Sequence, residues 1–293
     1  MAQASKTLYI SDLDGTLLTS EACLSPFTAE TVRRLVNEGM LFSYATARSL
    51  ITARKVTQAL GKIHLPVVIY NGEAIADAAD GRILDAVYFA QEEIALIRGI
   101  LQNAGLRPLV YSRAGEYADD ERVAYQTGSP GRGLAYYLQT REGDKRLHAV
   151  AQEELYTGNI FYFTVIEDDY MACEAPYRAL CADGRLCVHL QRDVYTDAYY
   201  LEVMPKTASK ANAAGRLKAL SGSTRIVCFG DGDNDRSMFR IADEGYAVAN
   251  AVESLKAAAT AVIGSNSEDG VAKKLIELWK AEMGGKENDY AHS

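Results

Sequence analysis

Short apolar runs alternate with helical periodicity over the first part of the chain. Apolar, β-favouring runs at 7–11, 40–45 and 67–70 predict strands. Apolar side chains at helical spacing within 27–38, followed by the segment 49–60, predict helices between those strands. Because continuous apolar strands that alternate with helices are typical of a parallel sheet covered on both faces, we predict an α/β fold here.

The end of the chain repeats this alternation. The pattern predicts strands at 225–229 and 246–249 and helices at 208–220, 234–242, 252–258 and 271–283. We therefore expect residues 1–82 and 206–293 to form one domain, built around a parallel sheet that is flanked by helices.

The middle of the chain differs in composition from its two ends. Residues 82–205 hold 13 of the 18 tyrosines and a single lysine, and their 19 acidic against 12 basic residues carry −7 of the net charge of −8. The pattern predicts strands at 160–165, 186–190 and 199–203 and helices at 90–104 and 176–181. We therefore predict an inserted α+β domain over residues 83–205.

Two carboxylates follow the first predicted strand, in the run Asp12-Leu13-Asp14-Gly15-Thr16-Leu17. Side chains at i and i+2 of an extended backbone point the same way, so Asp12 and Asp14 face one side. They come at the carboxyl end of a parallel strand, where α/β proteins bind ligands, and Gly15 allows a sharp turn. A solvated turn without function has the same pattern, so this run alone leaves both interpretations open.

A second acidic run, Gly230-Asp231-Gly232-Asp233-Asn234-Asp235, directly follows the strand predicted at 225–229. Its start resembles a calcium loop, but Ala242 stands where an EF-hand loop has its bidentate glutamate. So many acids in one turn are costly unless a cation neutralises them. Two such turns that leave one parallel sheet can lie side by side, and their hard oxygen ligands suit Mg²⁺ that holds a phosphate.

An all-acidic site repels a phosphate, so cationic and hydrogen-bond donor groups are needed as well. Thr46 ends the second predicted strand and offers a hydroxyl and backbone N–H groups at the start of a helix, which suits an anion. Lys210 begins the helix that precedes the second acidic turn. A lone lysine is usually a solvated surface charge, and it becomes a candidate only in combination with the other groups.

These motifs together resemble those of the haloacid dehalogenase (HAD) superfamily of phosphohydrolases, and within it the Cof-like branch, type IIB. The matching motifs, in chain order, are Asp12-Leu13-Asp14-Gly15-Thr16, Thr46, Lys210 and residues 230–235. Further similar signatures are Asn71-Gly72, Asn250-Ala251 and Asp269-Gly270-Val271-Ala272. The resemblance covers residues 7–82 and 206–280, and it implies a Rossmann-like core with an inserted α/β cap domain of the C2B type.

The resemblance implies a Mg²⁺-dependent phosphatase that hydrolyses a small phosphomonoester, such as a sugar phosphate or a similar metabolite, through an aspartyl-phosphate. Asp12 would attack phosphorus, and Asp14 would act first as general acid and then as general base. The implied metal ligands are Asp12, the backbone carbonyl of Asp14, Asp231 and Asp235, the last lying behind the others or binding through water. The implied phosphate-binding groups are Thr46, Ala47, Lys210, Asn234 and the backbone N–H groups of Leu13 and Asp14.

The chain departs from the Cof-like pattern at two positions. Ala47 stands in Thr46-Ala47-Arg48 where the branch usually has Thr-Gly-Arg, so Ala47 must avoid a positive φ. Glu73 follows Asn71-Gly72 where the branch usually has a small residue. Its carboxylate either repels phosphate or recognises a substrate hydroxyl, and the sequence does not choose between these two roles.

Composition narrows the choice of partners and compartment. The net charge of −8 and the isoelectric point of about 5.2 disfavour a nucleic-acid partner. The longest apolar runs are far shorter than the ~18 residues of a membrane span, so no membrane partner is expected. Five scattered cysteines, an odd number, are expected to be reduced thiols in a cytoplasmic protein.

Two alternatives to a phosphatase stay open at this point. A sugar phosphomutase shares Asp12 and Asp14, because an aspartyl-phosphate can also pass its phosphoryl group to a sugar. A non-catalytic phosphate-binding or signalling member is the other alternative, since receiver domains also phosphorylate an Asp with Thr and Lys nearby. The oligomeric state is not predicted.

Overall fold

The computed structural model describes residues 6–193 and 196–290, with side chains described as far as residue 284. The strands are β1 (Thr7–Ser11), β2 (Leu41–Tyr44), β3 (Val67–Ile69), β4 (Ala74–Ala76), β5 (Ile83–Ala86), β6 (Leu109–Arg113), β7 (Glu121–Gln126), β8 (Leu147–Val150), β9 (Asn159–Glu167), β10 (Leu186–Arg192), β11 (Tyr199–Pro205), β12 (Arg225–Gly230), β13 (Glu244–Val248) and β14 (Ala261–Ile263). The helices are α1 (Pro26–Asn37), α2 (Leu50–Thr57), α3 (Gln91–Asn103), α4 (Arg132–Gln139), α5 (Tyr170–Cys181), α6 (Lys210–Ser221), α7 (Arg236–Ile241), α8 (Glu253–Lys256) and α9 (Gly270–Tyr290).

The chain divides into two compact units. The first comprises Met1–Asp85 and Ser209–Ser293, and the second is Ala86–Ala208, which is inserted between the two halves of the first in the sequence. Among the described residues, no helix has both the length and the apolar character needed to cross a lipid bilayer.

The first unit contains a five-stranded parallel sheet in the order β14-β13-β12-β1-β2. Every residue of β1 is buried, as expected for a strand covered on both faces. Helix α1 packs against α9, and α6 packs against α7. The predicted parallel sheet with flanking helices is therefore confirmed, and it joins the two ends of the chain.

Several short strands of this unit were not predicted. Beyond β2, a bridge between Ala45 and Val68 leads to a small sheet of β3, β4 and β5, in which β3 and β4 are antiparallel. Strands β4 and β14 have three residues each. β3 is equally short but was predicted, because all of its residues are β-branched. β4 and β14 contain alanine, which does not favour strands, and they are too short for a recognisable alternation, so tertiary pairing decides their structure.

The second unit is an α+β structure, as predicted. Its six-stranded sheet has the order β10-β11-β9-β6-β7-β8, in which only the β7–β8 pair is parallel. Helices α3 and α5 bury apolar side chains, including Ile97 and Leu180, in one cluster with strand residues such as Phe163 and Leu201. Strands β6, β7 and β8 and helix α4 were not predicted from the sequence.

The helix predicted at 176–181 begins earlier than expected. It is the last part of α5, which starts at Tyr170 after Asp169, whose side chain accepts a hydrogen bond from the backbone N–H of Met171. The prediction placed Pro176 at the helix start, where proline is favoured. Pro176 instead lies inside α5 and is buried.

Candidate active site

The two acidic turns leave neighbouring parallel strands at the same edge of the sheet. Ser11 at the end of β1 pairs with Phe229 of β12, and the backbone N–H of Asp12 donates to the Phe229 carbonyl at 3.0 Å. This register brings Asp12 close to Asp231 and Asp235. Carboxylate oxygens of these three residues all lie within 4.8 Å of one another, so the structure does place the two turns side by side.

Lys210 is buried between the two turns. It is the first residue of α6, whose N-cap Ser209 accepts a hydrogen bond from the backbone N–H of Asn212. Its Nζ lies 2.5 Å from Oδ1 of Asp12 and 2.7 Å from Oδ1 of Asp235. Burial disfavours the charged ammonium, but the two carboxylates outweigh this effect and raise the pKa of Lys210, which therefore stays protonated.

The carboxylate cluster carries more negative charge than Lys210 neutralises. Burial raises the pKa of Asp12 even though Lys210 opposes the shift, and it also raises the pKa of Asp231, with Asp235 adding to the effect. Raised carboxyl pKa values indicate that the positive charge nearby does not fully balance the negative charge of the ionised carboxylates. Together with the hard oxygen donors, this charge balance fits a divalent cation such as Mg²⁺.

The second acidic turn is organised by one of its own carboxylates. Oδ2 of Asp235 accepts hydrogen bonds from the backbone N–H groups of Asp231, at 3.0 Å, and Gly232, at 3.1 Å. Its other oxygen, Oδ1, faces Lys210. Asp235 therefore shapes the loop that presents Asp231 and also anchors the lysine.

The first acidic turn contacts Asp231 through Gly15 and Thr16. Gly15 has a φ of +73°, and a Cβ at this position would overlap the Asp231 carboxylate. The Thr16 hydroxyl donates to Oδ1 of Asp231 at 3.0 Å. The positive φ favours glycine here, a Cβ would in addition displace the Asp231 carboxylate, and Thr16 fixes the orientation of Asp231.

Asp14 lies apart from the carboxylate cluster and pairs with Arg48. The guanidinium donates from Nε to Oδ2 at 2.7 Å and from Nη2 to Oδ1 at 2.5 Å, while Asp14 itself is exposed. This hydrogen bonding raises the pKa of Arg48. No role for Arg48 was predicted from the sequence, because its partner Asp14 lies 34 residues away along the chain.

Thr46 is buried just beyond β2, where its backbone N–H donates to the Val68 carbonyl at 3.0 Å. Its Oγ1 accepts a hydrogen bond from the backbone N–H of Arg48 at 3.1 Å. The oxygen serves as acceptor in this bond, so the bond does not use the hydroxyl hydrogen. Ala47 is exposed and is not among the non-glycine residues with a positive φ, so this substitution introduces no backbone strain.

The Asn71-Gly72 turn contacts Asn234 and lies against Ser209, the residue before Lys210. The exposed Asn234 donates from Nδ2 to Oδ1 of Asn71 at 3.2 Å. Gly72 has a φ of +100°, and a Cβ there would overlap the carbonyl of Ser209, which precedes Lys210. Glu73 is completely buried, so its carboxylate is not open to solvent.

Comparison with known proteins places this arrangement in a family. Residues 9–275 match the family model of haloacid dehalogenase-like hydrolases. A similar protein is the 5-amino-6-(5-phospho-D-ribitylamino)uracil phosphatase YwtE of Bacillus subtilis, 26% identical over 91% of this chain and 96% of its own length.

Solved structures agree with this assignment at the level of the fold. A haloacid dehalogenase-like hydrolase from Bacteroides thetaiotaomicron has a TM-score of 0.73 and 23% identity over 93% of this chain and 99% of its own. The HAD subclass IIB sugar phosphatase BT4131 has a TM-score of 0.67 and 18% identity over 94% and 99%. The predicted resemblance and the predicted hydrolase class are confirmed, and the chain belongs to the haloacid dehalogenase-like hydrolase family.

Proposed function

We propose that this protein is a Mg²⁺-dependent phosphatase that hydrolyses a small phosphomonoester through an aspartyl-phosphate on Asp12. The observation that carries the proposal is the convergence of Asp12, Asp231 and Asp235 around the Lys210 ammonium. Family membership and a relative named as a phosphatase agree with it. Phosphoryl transfer depends mainly on positioning and charge stabilisation, and these residues supply both.

Asp12 is the proposed nucleophile. One of its carboxylate oxygens attacks phosphorus, the new P–O bond forms, and the bond from phosphorus to the ester oxygen breaks. Lys210 fixes the orientation of the carboxylate through its contact with Oδ1. Mg²⁺, held by Asp12, the backbone carbonyl of Asp14 and Asp231, with Asp235 behind them or binding through water, would neutralise negative charge on the phosphoryl group.

Asp14 is the proposed general acid and base. In the first step it gives a proton to the departing alkoxide, and in the second it takes a proton from the water that attacks the aspartyl-phosphate. Both carboxylate oxygens of Asp14 are engaged by Arg48 in the structure. We infer that this pair opens when Asp14 acts as an acid, since a carboxylate in a bidentate pair has no proton to give.

The remaining candidates are proposed to hold the phosphoryl oxygens. Thr46 would donate its hydroxyl hydrogen, and Lys210 would supply positive charge. The backbone N–H groups of Leu13, Asp14 and Ala47 and the side-chain amide of Asn234 would complete the set. Donors fixed by the fold stabilise charge at phosphorus without having to reorganise during the reaction.

The substrate is proposed to be a small phosphorylated metabolite, with a sugar phosphate or a similar ester as the first candidate. Residues 1–82 and 206–293 would carry the chemistry, and residues 83–205, rich in tyrosine and acidic side chains, would contribute to substrate choice. The cytoplasm is the proposed compartment, because the cysteines Cys23, Cys173, Cys181, Cys187 and Cys228 are all free thiols.

Phosphate release from a panel of phosphomonoesters tests the proposal. The panel contains sugar phosphates, phosphorylated vitamins, nucleotides and an aryl phosphate, each assayed with Mg²⁺ and with EDTA. The expected result is release that requires Mg²⁺ and is lost in Asp12→Asn. Conversion of a sugar 1-phosphate to its 6-phosphate would indicate a mutase, and a folded protein that releases no phosphate from any ester would contradict the proposal.

A further inference from the structure

The loop that follows β13 contacts both acidic turns. The side-chain amide of Asn250 donates from Nδ2 to the carbonyl of Gly15 at 2.7 Å. Two residues later, the backbone N–H of Val252 donates to the carbonyl of Asp231 at 2.9 Å. Residues 250–252 therefore join the turn that carries Asp12 and Asp14 to the turn that carries Asp231.

The orientation of the Asn250 amide is fixed by a second loop. Its Oδ1 accepts a hydrogen bond from the backbone N–H of Asn266 at 3.0 Å. A backbone N–H can only donate, so the oxygen must face Asn266 and the NH₂ group must face Gly15. Asn266 in turn donates from its own Nδ2 to the carbonyl of Leu18 at 2.9 Å. The two asparagines thus hold the first acidic turn at Gly15 and at Leu18.

We propose that Asn250 is a positioning residue that sets the spacing between the two acidic turns and thereby the affinity of the site for a divalent cation. This inference rests on the proposed function, and it adds a positioning residue to the proposed Mg²⁺ site. In this proposal Asn250 contacts neither the cation nor the phosphate, and it acts through the backbone carbonyl next to Asp14. Residues that orient metal ligands in this way typically change metal affinity by about 10- to 100-fold when they are replaced.

Isothermal titration calorimetry of the metal-free protein with MgCl₂ measures this affinity directly. Asn250→Ala removes the hydrogen bond to Gly15 and is expected to weaken Mg²⁺ binding by about 10-fold or more. Ser254→Ala is the matched control, because Ser254 is an exposed residue of the same region whose hydroxyl donates to Asp233, a residue outside the proposed ligand set. Its Mg²⁺ affinity is expected to equal that of the wild type.

Asn250→Asp separates positioning from electrostatics. The aspartate keeps the size of the side chain and can accept the hydrogen bond from Asn266, but it cannot donate to Gly15. Its added negative charge by itself would strengthen the attraction for Mg²⁺. Positioning therefore predicts weaker binding in Asn250→Asp, whereas a purely electrostatic contribution predicts tighter binding.

Activity gives a second readout. Raised Mg²⁺ concentration is expected to restore phosphate release in Asn250→Ala, which general structural damage would not allow. Unchanged Mg²⁺ affinity in Asn250→Ala, or tighter binding in Asn250→Asp, would overturn the inference while leaving the proposed function intact. A wild-type protein that binds no Mg²⁺ and releases no phosphate would instead contradict the proposed function and, with it, this inference.

Discussion

Lys210 and Asp12 form an ion pair that is almost fully removed from solvent, with Nζ 2.5 Å from Oδ1. The same ammonium contacts Asp235, so one cation holds two carboxylates from different turns. Removing the partner of a buried charge destabilises the fold far more than removing the partner of an exposed charge, because water cannot solvate the buried charge that remains. Lys210 therefore supports the fold and the proposed chemistry at the same time.

Replacement of Lys210 tests this double role. Lys210→Met leaves Asp12 and Asp235 without their cation and is expected to lower the free energy of unfolding by about 3–5 kcal/mol. Phosphate release is expected to disappear as well. Urea denaturation in EDTA measures the first effect, and Lys280→Met, at an exposed position of α9, is the control, expected to stay within about 0.5 kcal/mol of wild type. Equal unfolding midpoints for Lys210→Met and wild type would show that the pair contributes nothing to stability.

Gly72 is expected to tolerate a side chain less well than Gly39. Both have a positive φ, +100° and +103°, but a Cβ on Gly72 would overlap the Ser209 backbone whereas a Cβ on Gly39 meets nothing within 4 Å. Gly39→Ala should therefore lower the free energy of unfolding only by the conformational strain, about 1–2 kcal/mol. Gly72→Ala should lower the free energy of unfolding by more than this. Chemical denaturation of both variants measures the difference, and equal costs would exclude crowding at Ser209.

Asp14→Asn is expected to discriminate between leaving groups. An alkoxide needs a proton as it departs, whereas 4-nitrophenolate is stable without one. The variant should lose about 10²- to 10⁴-fold in kcat/KM, which reports the step that forms the aspartyl-phosphate, on an alkyl phosphomonoester, with a much smaller loss in kcat/KM on 4-nitrophenyl phosphate. Steady-state rates on the two esters give the ratio. The same loss on both would mean that Asp14 does not act as the general acid.

The five cysteines are expected to react with a thiol reagent in separate stages. Cys23 and Cys181 are exposed, Cys187 is partly buried, and Cys173 and Cys228 are buried. Burial also raises the pKa of Cys173 to about 11, so its reactive thiolate is scarce at neutral pH. Titration with 5,5′-dithiobis(2-nitrobenzoic acid) at pH 8 should label two thiols rapidly and one slowly, and the last two only after denaturation. Rapid labelling of all five would contradict the burial described here.

Much of the framework was predictable because it depends on local patterns. Strands β1 and β12 are continuous apolar runs, and each is followed directly by an acidic turn, so the site could be located at one sheet edge. Contacts across the fold have no such local signal. Arg48 lies 34 residues from Asp14, and Asn250 lies 235 residues from Gly15. The packing of the loops determines which partner each of these side chains contacts. This packing leaves no local pattern in a single sequence from which the contact could be predicted.

One measurement tests directly whether Asp12 carries the phosphoryl group during turnover. The protein is mixed with Mg²⁺ and its preferred ester, quenched in acid within the first turnover, digested and analysed by mass spectrometry. We predict one added phosphoryl group on the peptide that contains Asp12, labile to hydroxylamine as an acyl phosphate is, and absent in Asp12→Asn. Rapid phosphate release with no labelled peptide at any quench time, or undiminished release by Asp12→Asn, would contradict this prediction.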